Sequence, residues 1–209
     1  MQKALLIRNG YVPGNIMEID EASFKKQYKI GYFGTISEWF DFKLLTDSLI
    51  IHKDIQYHLI GPTENNRLGD EEKRILEQGK NQDGQIVYHG LVEHSELQNF
   101  IKDYDALMMP FKVNETILSV DPVKLYEYIS CGKCIISVWY PEIDRFSPFV
   151  YFYRDEVEYE SLLKELITNG FKPKYDINQQ HEFLSKNTWE ERCEIMEKEL
   201  NKLFLGEKL

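Results

Sequence analysis

The residues best placed to do chemistry lie near the middle of the sequence, where a lysine and a glutamate follow a helix-start signal. Asp121 and Pro122 are typical of a helix start, and Gly132 is typical of its end. Lys124 would then lie in the first turn, where free N–H groups and the helix dipole favour a bound anion such as phosphate. Glu127, on the same helical face, could accept hydrogen bonds from sugar hydroxyls. The spacing is equally compatible with an exposed lysine–glutamate ion pair that only stabilises the helix, by about 0.2–0.5 kcal/mol.

Apolar runs of strand length alternate with stretches of helical periodicity along the whole chain. This alternation predicts an α/β fold with parallel strands, right-handed crossovers and helices on both faces of an open sheet. The predicted strands cover residues 29–34, 56–61, 85–89, 105–111, 133–138 and 149–154. The predicted helices cover residues 37–51, 70–78, 94–103, 122–130, 141–146, 156–169 and 189–204.

Ligands of such sheets bind beyond the carboxyl ends of the strands, near the point where strand order reverses. Gly34 and Gly61 end two of the predicted strands and Gly90 follows a third, and backbone without a Cβ there lets a ligand approach closely. The glycines after the first strand do not spell the GxGxxG fingerprint, and the GxxxxGK[ST] phosphate loop is absent. Nicotinamide or flavin enzymes and ordinary NTPases are therefore disfavoured.

Net charge, apolar runs and cysteine spacing limit which ligands and which cellular location we expect for the protein. The 209 residues carry a formal net charge of −10, which disfavours nucleic acid and anionic membrane surfaces as ligands of the whole molecule. No apolar run is long enough to span a membrane, and the first ten residues lack a signal-peptide pattern, so we expect a cytoplasmic protein. Cys131 and Cys134 form a CGKC sequence at a helix end, which favours buried structural thiols over a redox pair, and no histidine or cysteine spacing suggests a metal site.

Four segments together resemble the C-terminal, donor-binding domain of GT-B glycosyltransferases of the family 4, group 1 kind. They are IRNG at 7–10, IGYFGTISEWFD at 30–41, the segment 86–111 and DPVKLYEYISCGKCIIS at 121–137. The resemblance implies a Rossmann-like open parallel sheet, a single GT-B lobe, that binds a UDP- or GDP-sugar without a metal or other cofactor.

The resemblance also implies a role for eight residues. The diphosphate group would contact Gly34, Thr35, Ser119, Val120 and Lys124, and the base and ribose would contact Leu91, Val92 and Glu127. Two features depart from the family pattern. Ser119 stands where the family has the first of two glutamates, and residues 35–42 contain no basic side chain to clamp the diphosphate. We therefore expect Lys124 to carry more of the positive charge, and no residue can be named as catalytic.

A complete GT-B enzyme has two lobes, and residues 1–209 match only the second. We expect the acceptor lobe to be absent from this sequence, either because the chain is truncated or because the lobe is a separate polypeptide, and we expect the chain alone to be inactive. The implied reaction is hexosyl transfer to an acceptor such as a cell-surface polysaccharide or glycolipid precursor, with retention implied by the family only. The missing lobe could also attach the enzyme to the inner face of the membrane.

Two other functions remain open at this stage. A non-catalytic nucleotide-binding or scaffold module would keep the fold without the chemistry, and Ser119 together with the missing basic clamp favours it. One lobe of a nucleotide-sugar epimerase shares the same architecture, although no acidic or histidine constellation supports it. Nucleic acid and a transmembrane segment are not expected.

Overall fold

The computed structural model describes residues 4–204, apart from the side chains of His94 and Leu203. Six parallel strands form one open sheet in the order β3-β2-β1-β4-β5-β6. The strand order reverses between β1 and β4, and the predicted fold class is confirmed. The strands are β1 Tyr28–Phe33, β2 Ile55–Ile60, β3 Ile86–Gly90, β4 Ala106–Met109, β5 Cys134–Val138 and β6 Tyr151–Tyr153.

Eight α-helices connect and flank the strands within the described residues. They are α1 Phe42–Ile51, α2 Asp70–Gly79, α3 His94–Ile101, α4 Glu115–Leu118, α5 Val123–Ser130, α6 Glu156–Asn169, α7 Ile177–Ser185 and α8 Trp189–Phe204, with a 3₁₀ helix at Pro141–Phe146. The helix predicted to begin at residue 37 begins at Phe42 instead, because the Asp41 side chain caps it by accepting from Leu44 N at 3.1 Å. Helices α4 and α7 were not predicted.

The core lies in the sheet and on both of its faces. Every residue of β4 and β5 is buried, as expected for central parallel strands covered on two sides. Cys131 and Cys134 are buried free thiols, and burial raises the pKa of Cys131 to about 12. The preference for structural over redox cysteines agrees with this burial, since a thiol of raised pKa is a poor nucleophile at neutral pH.

The N-terminal segment is fastened to the far end of α5. Met17 N donates to Ser130 O at 2.8 Å, and Asp20 N donates to Gly132 O at 2.9 Å. Gly132 has φ +68 and closes α5 as predicted, and a Cβ there would overlap Glu18 O. The side chain of Lys133 is buried and donates to Asp20 Oδ2 at 2.7 Å. Gly132 and Lys133 of the sequence motif therefore bind Asp20, in the segment that precedes the first strand of the sheet.

None of the helices within residues 4–204 combines the length and apolar character needed to cross a bilayer.

Candidate functional site

Three glycines end neighbouring strands at the carboxyl edge of the sheet. Gly34, Gly61 and Gly90 all have positive φ, at +139, +135 and +70. Gly34 N donates to Ile60 O at 2.9 Å, and Gly61 N donates to Gly90 O at 2.7 Å. A Cβ at Gly61 would overlap Gly34 O, so the two turns can lie this close because Gly61 has no side chain. The result is a patch of closely approaching glycine backbone beside the point where strand order reverses.

Lys124 reaches across this patch from the first turn of α5. Its Nζ donates a hydrogen bond to Tyr32 Oη at 3.1 Å and lies 4.5 Å from the centre of the Tyr32 ring. A Cβ added at Gly34 would overlap Lys124 Nζ. The lysine predicted to bind phosphate and the glycine predicted to let phosphate approach, 90 positions apart in sequence, are thus direct neighbours in space.

The ammonium group of Lys124 has no carboxylate partner within the described part of the chain. Its hydrogen-bond acceptor there is a neutral phenol. Burial lowers the pKa of Lys124 to about 8, and the nearby charge of Glu127 opposes this shift only in part. The exposed Lys124–Glu127 ion pair, which the spacing equally allowed, is not formed within the described residues. A desolvated cation without a counter-ion gains from a bound anion, which favours an anion site.

The start of α5 differs from the prediction in one respect. The helix begins at Val123, Pro122 is its N-cap residue, and no side chain of the described residues caps it. Asp121, predicted to be the cap, accepts a hydrogen bond from Asn9 N at 2.9 Å and forms an ion pair with Arg145. The prediction was wrong because two tertiary partners, including a guanidinium, compete with the local cap. The first-turn N–H groups of α5 consequently lack a side-chain acceptor among residues 4–204.

Ser119 and Val120 lie just before α5, at the end of α4. Ser119 N donates to Thr116 O at 3.2 Å, and Val120 N donates to Ile117 O at 3.0 Å. Ser119 is exposed and Val120 is half-buried. Both backbone amides are therefore used within α4, and the group that Ser119 offers to a ligand is its exposed hydroxyl.

Thr35 follows Gly34 directly, and its carbonyl oxygen accepts a hydrogen bond from Tyr32 Oη at 2.7 Å. The Tyr32 hydroxyl thus links the turn after β1 to Lys124. Leu91 and Val92 lie in the loop after β3, where Leu91 is 75% exposed and Val92 packs partly against the core. An exposed apolar side chain at a strand end is a surface on which a flat base can rest.

Glu127 lines a cleft of about 760 Å³ between α3 and α5. Phe33, Gln98 and Val123 contribute to the same cleft, and residues 11–15 and Met17 also line it. The volume is in the range of small-molecule sites. Lys124 and Gly34 do not line this cleft, although their sequence neighbours Val123 and Phe33 do.

Sequence reasoning missed Tyr32, Asn9 and Arg145. In the sequence Tyr32 is typical of an apolar strand residue. Nothing in its spacing indicates that its hydroxyl forms hydrogen bonds with Lys124 and Thr35. Asn9 lies in the IRNG segment that was recognised without a role for that residue. Arg145 lies in the predicted short helix, but its pairing with Asp121 depends on tertiary structure. Within residues 4–204, no group of three or more His, Cys, Asp or Glu side chains is arranged to hold a metal ion.

The sequence was compared with known proteins. No protein-family model matches it. One relative is named "Putative teichuronic acid biosynthesis glycosyltransferase TuaH", from Bacillus subtilis, and is 26% identical over 125 residues, which are 59% of this chain and 30% of TuaH. The chain therefore spans about a third of that relative.

Solved structures match over most of the chain. HepE from Anabaena, in complex with UDP and glucose, has a TM-score of 0.62 and 14% identity, and the match covers 83% of this chain and 48% of HepE. The C-terminal domain of the group 1 glycosyl transferase LpcC from Francisella tularensis has a TM-score of 0.51 and 17% identity, over 83% of this chain and 91% of that domain. The chain has the fold of a GT-B glycosyltransferase C-terminal domain. At these identities the structural matches establish the fold of this GT-B domain, and the resemblance stated from sequence is confirmed.

Proposed function

We propose that this GT-B domain binds a nucleoside-diphosphate sugar, a UDP- or GDP-sugar, for hexosyl transfer. The observation that carries the proposal is the Lys124 ammonium, held over the Gly34 backbone at the carboxyl edge of the sheet without a carboxylate partner among the described residues. The diphosphate would lie between Lys124 and the turn of Gly34 and Thr35, against the uncapped start of α5. The hydroxyl of Ser119 and the backbone near Val120 would border it.

The ribose and the base of the nucleotide sugar would contact the cleft and the loop after β3. Glu127 would accept hydrogen bonds from the ribose hydroxyls, and the base would rest on the loop of Leu91 and Val92. The exposed backbone groups of this loop, rather than charged side chains, would read the base. This arrangement uses every residue that the sequence motifs singled out for the donor.

The chemistry proposed for the domain is stabilisation of the leaving group. In hexosyl transfer the bond between the sugar C1 and the diphosphate oxygen breaks, the acceptor oxygen bonds to C1 and loses its proton, and the nucleoside diphosphate leaves. Negative charge on the departing oxygen is stabilised best by hydrogen-bond donors that are already oriented towards it. Lys124 and the first turn of α5 provide such donors without a metal ion.

The relatives support the substrate class. HepE was crystallised in complex with UDP and glucose, and the name of TuaH places that enzyme in teichuronic acid synthesis. By analogy we propose a UDP-sugar donor and an acceptor that is a cell-surface polysaccharide or glycolipid precursor. The cytoplasm, where nucleotide sugars are consumed in such pathways, is the proposed location, with attachment to the inner membrane face through the acceptor lobe.

The proposed partner is an acceptor lobe, joined to this domain in one chain or supplied by another. The match covers only 48% of HepE, which leaves room for a second lobe of similar size. Without an acceptor site, the domain should bind nucleotide yet transfer sugar slowly or not at all.

Calorimetric titration with UDP, GDP and ADP tests nucleotide binding. We expect UDP or GDP to bind more tightly than ADP, and Lys124→Ala to weaken binding at least tenfold, since a charge-assisted contact to phosphate is lost. Lys186→Ala, which removes an exposed lysine paired with Glu182, is the matched control and should leave affinity unchanged. Equal affinities of wild type and Lys124→Ala would refute the assigned role.

A non-catalytic nucleotide-binding module is the second candidate. Ser119 in place of an acidic residue, and the lack of a basic side chain in residues 35–42, favour it. Adding a candidate acceptor lobe and assaying for glycosylated product separates the two functions. Product that disappears with Lys124→Ala supports the enzyme, whereas tight nucleotide binding without product from any lobe favours the module.

A further inference from the structure

The carboxylate of Asp121 lies in an unfavourable place for a site that binds an anion. Asp121 precedes the N-cap residue of α5, and Lys124 follows it by three positions. Aspartate at such a position readily accepts hydrogen bonds from backbone N–H groups two or three residues ahead. Here those groups belong to Val123 and Lys124, at the helix end proposed to face the diphosphate. A free Asp121 would therefore compete with the ligand for the same donors and repel it by its charge.

The structure holds Asp121 in another direction. Arg145, from the 3₁₀ helix Pro141–Phe146, forms an ion pair with its carboxylate. Asn9 adds two hydrogen bonds, from its backbone N to Asp121 Oδ2 and from Nδ2 to Asp121 O, both at 2.9 Å. No side chain caps α5, so within the described residues the carboxylate is committed to Arg145 and Asn9 rather than to the helix.

Arg145 is itself held firmly. Its Nη1 donates to Glu142 O at 2.6 Å, its Nη2 donates to Tyr126 Oη at 3.3 Å, and its guanidinium lies 4.5 Å from the centre of the Phe146 ring. The side chains of Arg145 and Asp121 are 22% and 18% exposed. A guanidinium fixed on several sides keeps its partner in one orientation, because moving it would break all of these contacts together.

We propose that Arg145 is a positioning residue that neutralises Asp121 and holds it away from the first turn of α5, so that these N–H groups and Lys124 stay available to the donor diphosphate. The inference rests on the proposed function. It assigns a role to the IRNG segment as well, since Asn9 supplies the second arm that holds Asp121. Neither Arg145 nor Asn9 need touch the donor.

The test is a double-mutant cycle with UDP and UMP as probes, measured by calorimetry below the unfolding temperature of every variant. Arg145→Ala should weaken UDP binding about tenfold, as expected when one uncompensated charge acts over several ångströms near a protein surface. The loss should be smaller for UMP, which carries less charge. Asp121→Asn keeps the shape and an acceptor for Asn9 N but removes the charge, so its UDP affinity should equal or exceed that of wild type.

The decisive variant is Asp121→Asn combined with Arg145→Ala. Recovery of UDP affinity to within about twofold of wild type supports the proposal, because an uncharged residue 121 does not repel the diphosphate when the arginine is removed. A merely structural role of Arg145 predicts that the double variant stays as weak as Arg145→Ala and that UDP and UMP lose equally, which would overturn it. Should Arg145→Ala fail to fold, Arg145→Gln, which retains hydrogen-bonding capacity, takes its place with the same expectations.

Two controls separate this inference from the proposed function. Arg154→Ala removes another arginine, one that pairs with Glu158 and stacks on Trp139, and should leave UDP affinity unchanged. If wild type binds no nucleotide, or Lys124→Ala has no effect, the diphosphate site itself is refuted, and this inference with it. If Lys124→Ala weakens binding but Arg145→Ala does not, only the role of Arg145 is refuted.

Discussion

The Nζ atom of Lys124 occupies the space that a side chain at Gly34 would need. Gly34 directly follows β1 and Lys124 lies in the first turn of α5, which leads from β4 to β5, so the contact lies at the point where strand order reverses. Parallel sheets bind their ligands at this point. The contact places the half-buried Lys124 side chain against the backbone of Gly34, and four predictions follow from this arrangement.

Gly34→Ala should damage the site and the fold together. At φ +139 an alanine is strained by about 1–3 kcal/mol, and its Cβ would displace the Lys124 ammonium. We expect a lower free energy of unfolding in urea and a loss of UDP affinity of at least tenfold. Gly84→Ala is the control, because a Cβ there makes only ordinary contacts with the Ile86 backbone and Gly84 does not line the cleft. Unchanged UDP affinity of Gly34→Ala would contradict the placement of the diphosphate.

The affinity for UDP should fall as pH rises above about 8. Burial lowers the pKa of Lys124 to about 8 in the free protein, and a bound diphosphate raises it again because it favours the charged form. Binding therefore takes up a proton in the window that begins near pH 8, and affinity is greatest below it. Titrations from pH 7 to 10 measure the slope, which Lys124→Ala should abolish. A slope that persists in that variant would mean that another group titrates.

Tyr32→Phe should weaken UDP binding severalfold without unfolding the protein. The change removes the hydroxyl that accepts from Lys124 and donates to Thr35 O, so the ammonium loses its fixed position. Tyr57→Phe is the matched control, since its buried hydroxyl contacts Ser48 and Tyr159 instead. That control should lower the free energy of unfolding by about 1 kcal/mol and leave UDP affinity unchanged. The same loss of UDP affinity in both variants would remove the special role of Tyr32.

Glu127→Ala should weaken UDP more than dUDP. The carboxylate borders the cleft, makes no side-chain hydrogen bond within the described residues and is free to accept from ribose hydroxyls. Losing one such bond to a charged acceptor corresponds to about a tenfold weaker Kd for UDP. Glu182→Ala, at an exposed carboxylate paired with Lys186, is the control. If UDP and dUDP weaken by the same factor, Glu127 does not bind the 2′-hydroxyl.

Much of the fold could be predicted because strand and helix periodicities alternate clearly. The bounds of Glu156–Asn169 and Trp189–Phe204 agree with the predicted helices. Helix α7 was missed although its capping box, Asp176 with Gln179, is visible in the sequence, since its polar composition hides the apolar face. Helix α4 has only four residues, too few to show a period.

The site was less predictable. Lys124 and Gly34 could be selected by local patterns, but their contact follows only from the order of the strands. The cap assigned to Asp121 was wrong because Asn9 and Arg145, 112 and 24 positions away, bind its carboxylate. Local rules describe what a residue can do on its own helix, whereas tertiary partners decide which of those options is taken.

The most direct test of the central claim is a crystal structure of the domain with UDP. The account predicts diphosphate density within hydrogen-bonding distance of Lys124 Nζ and the first-turn N–H groups of α5, over the backbone of Gly34, with the ribose facing Glu127. Diphosphate density elsewhere on the molecule, with Lys124 still bonded only to Tyr32, would contradict it.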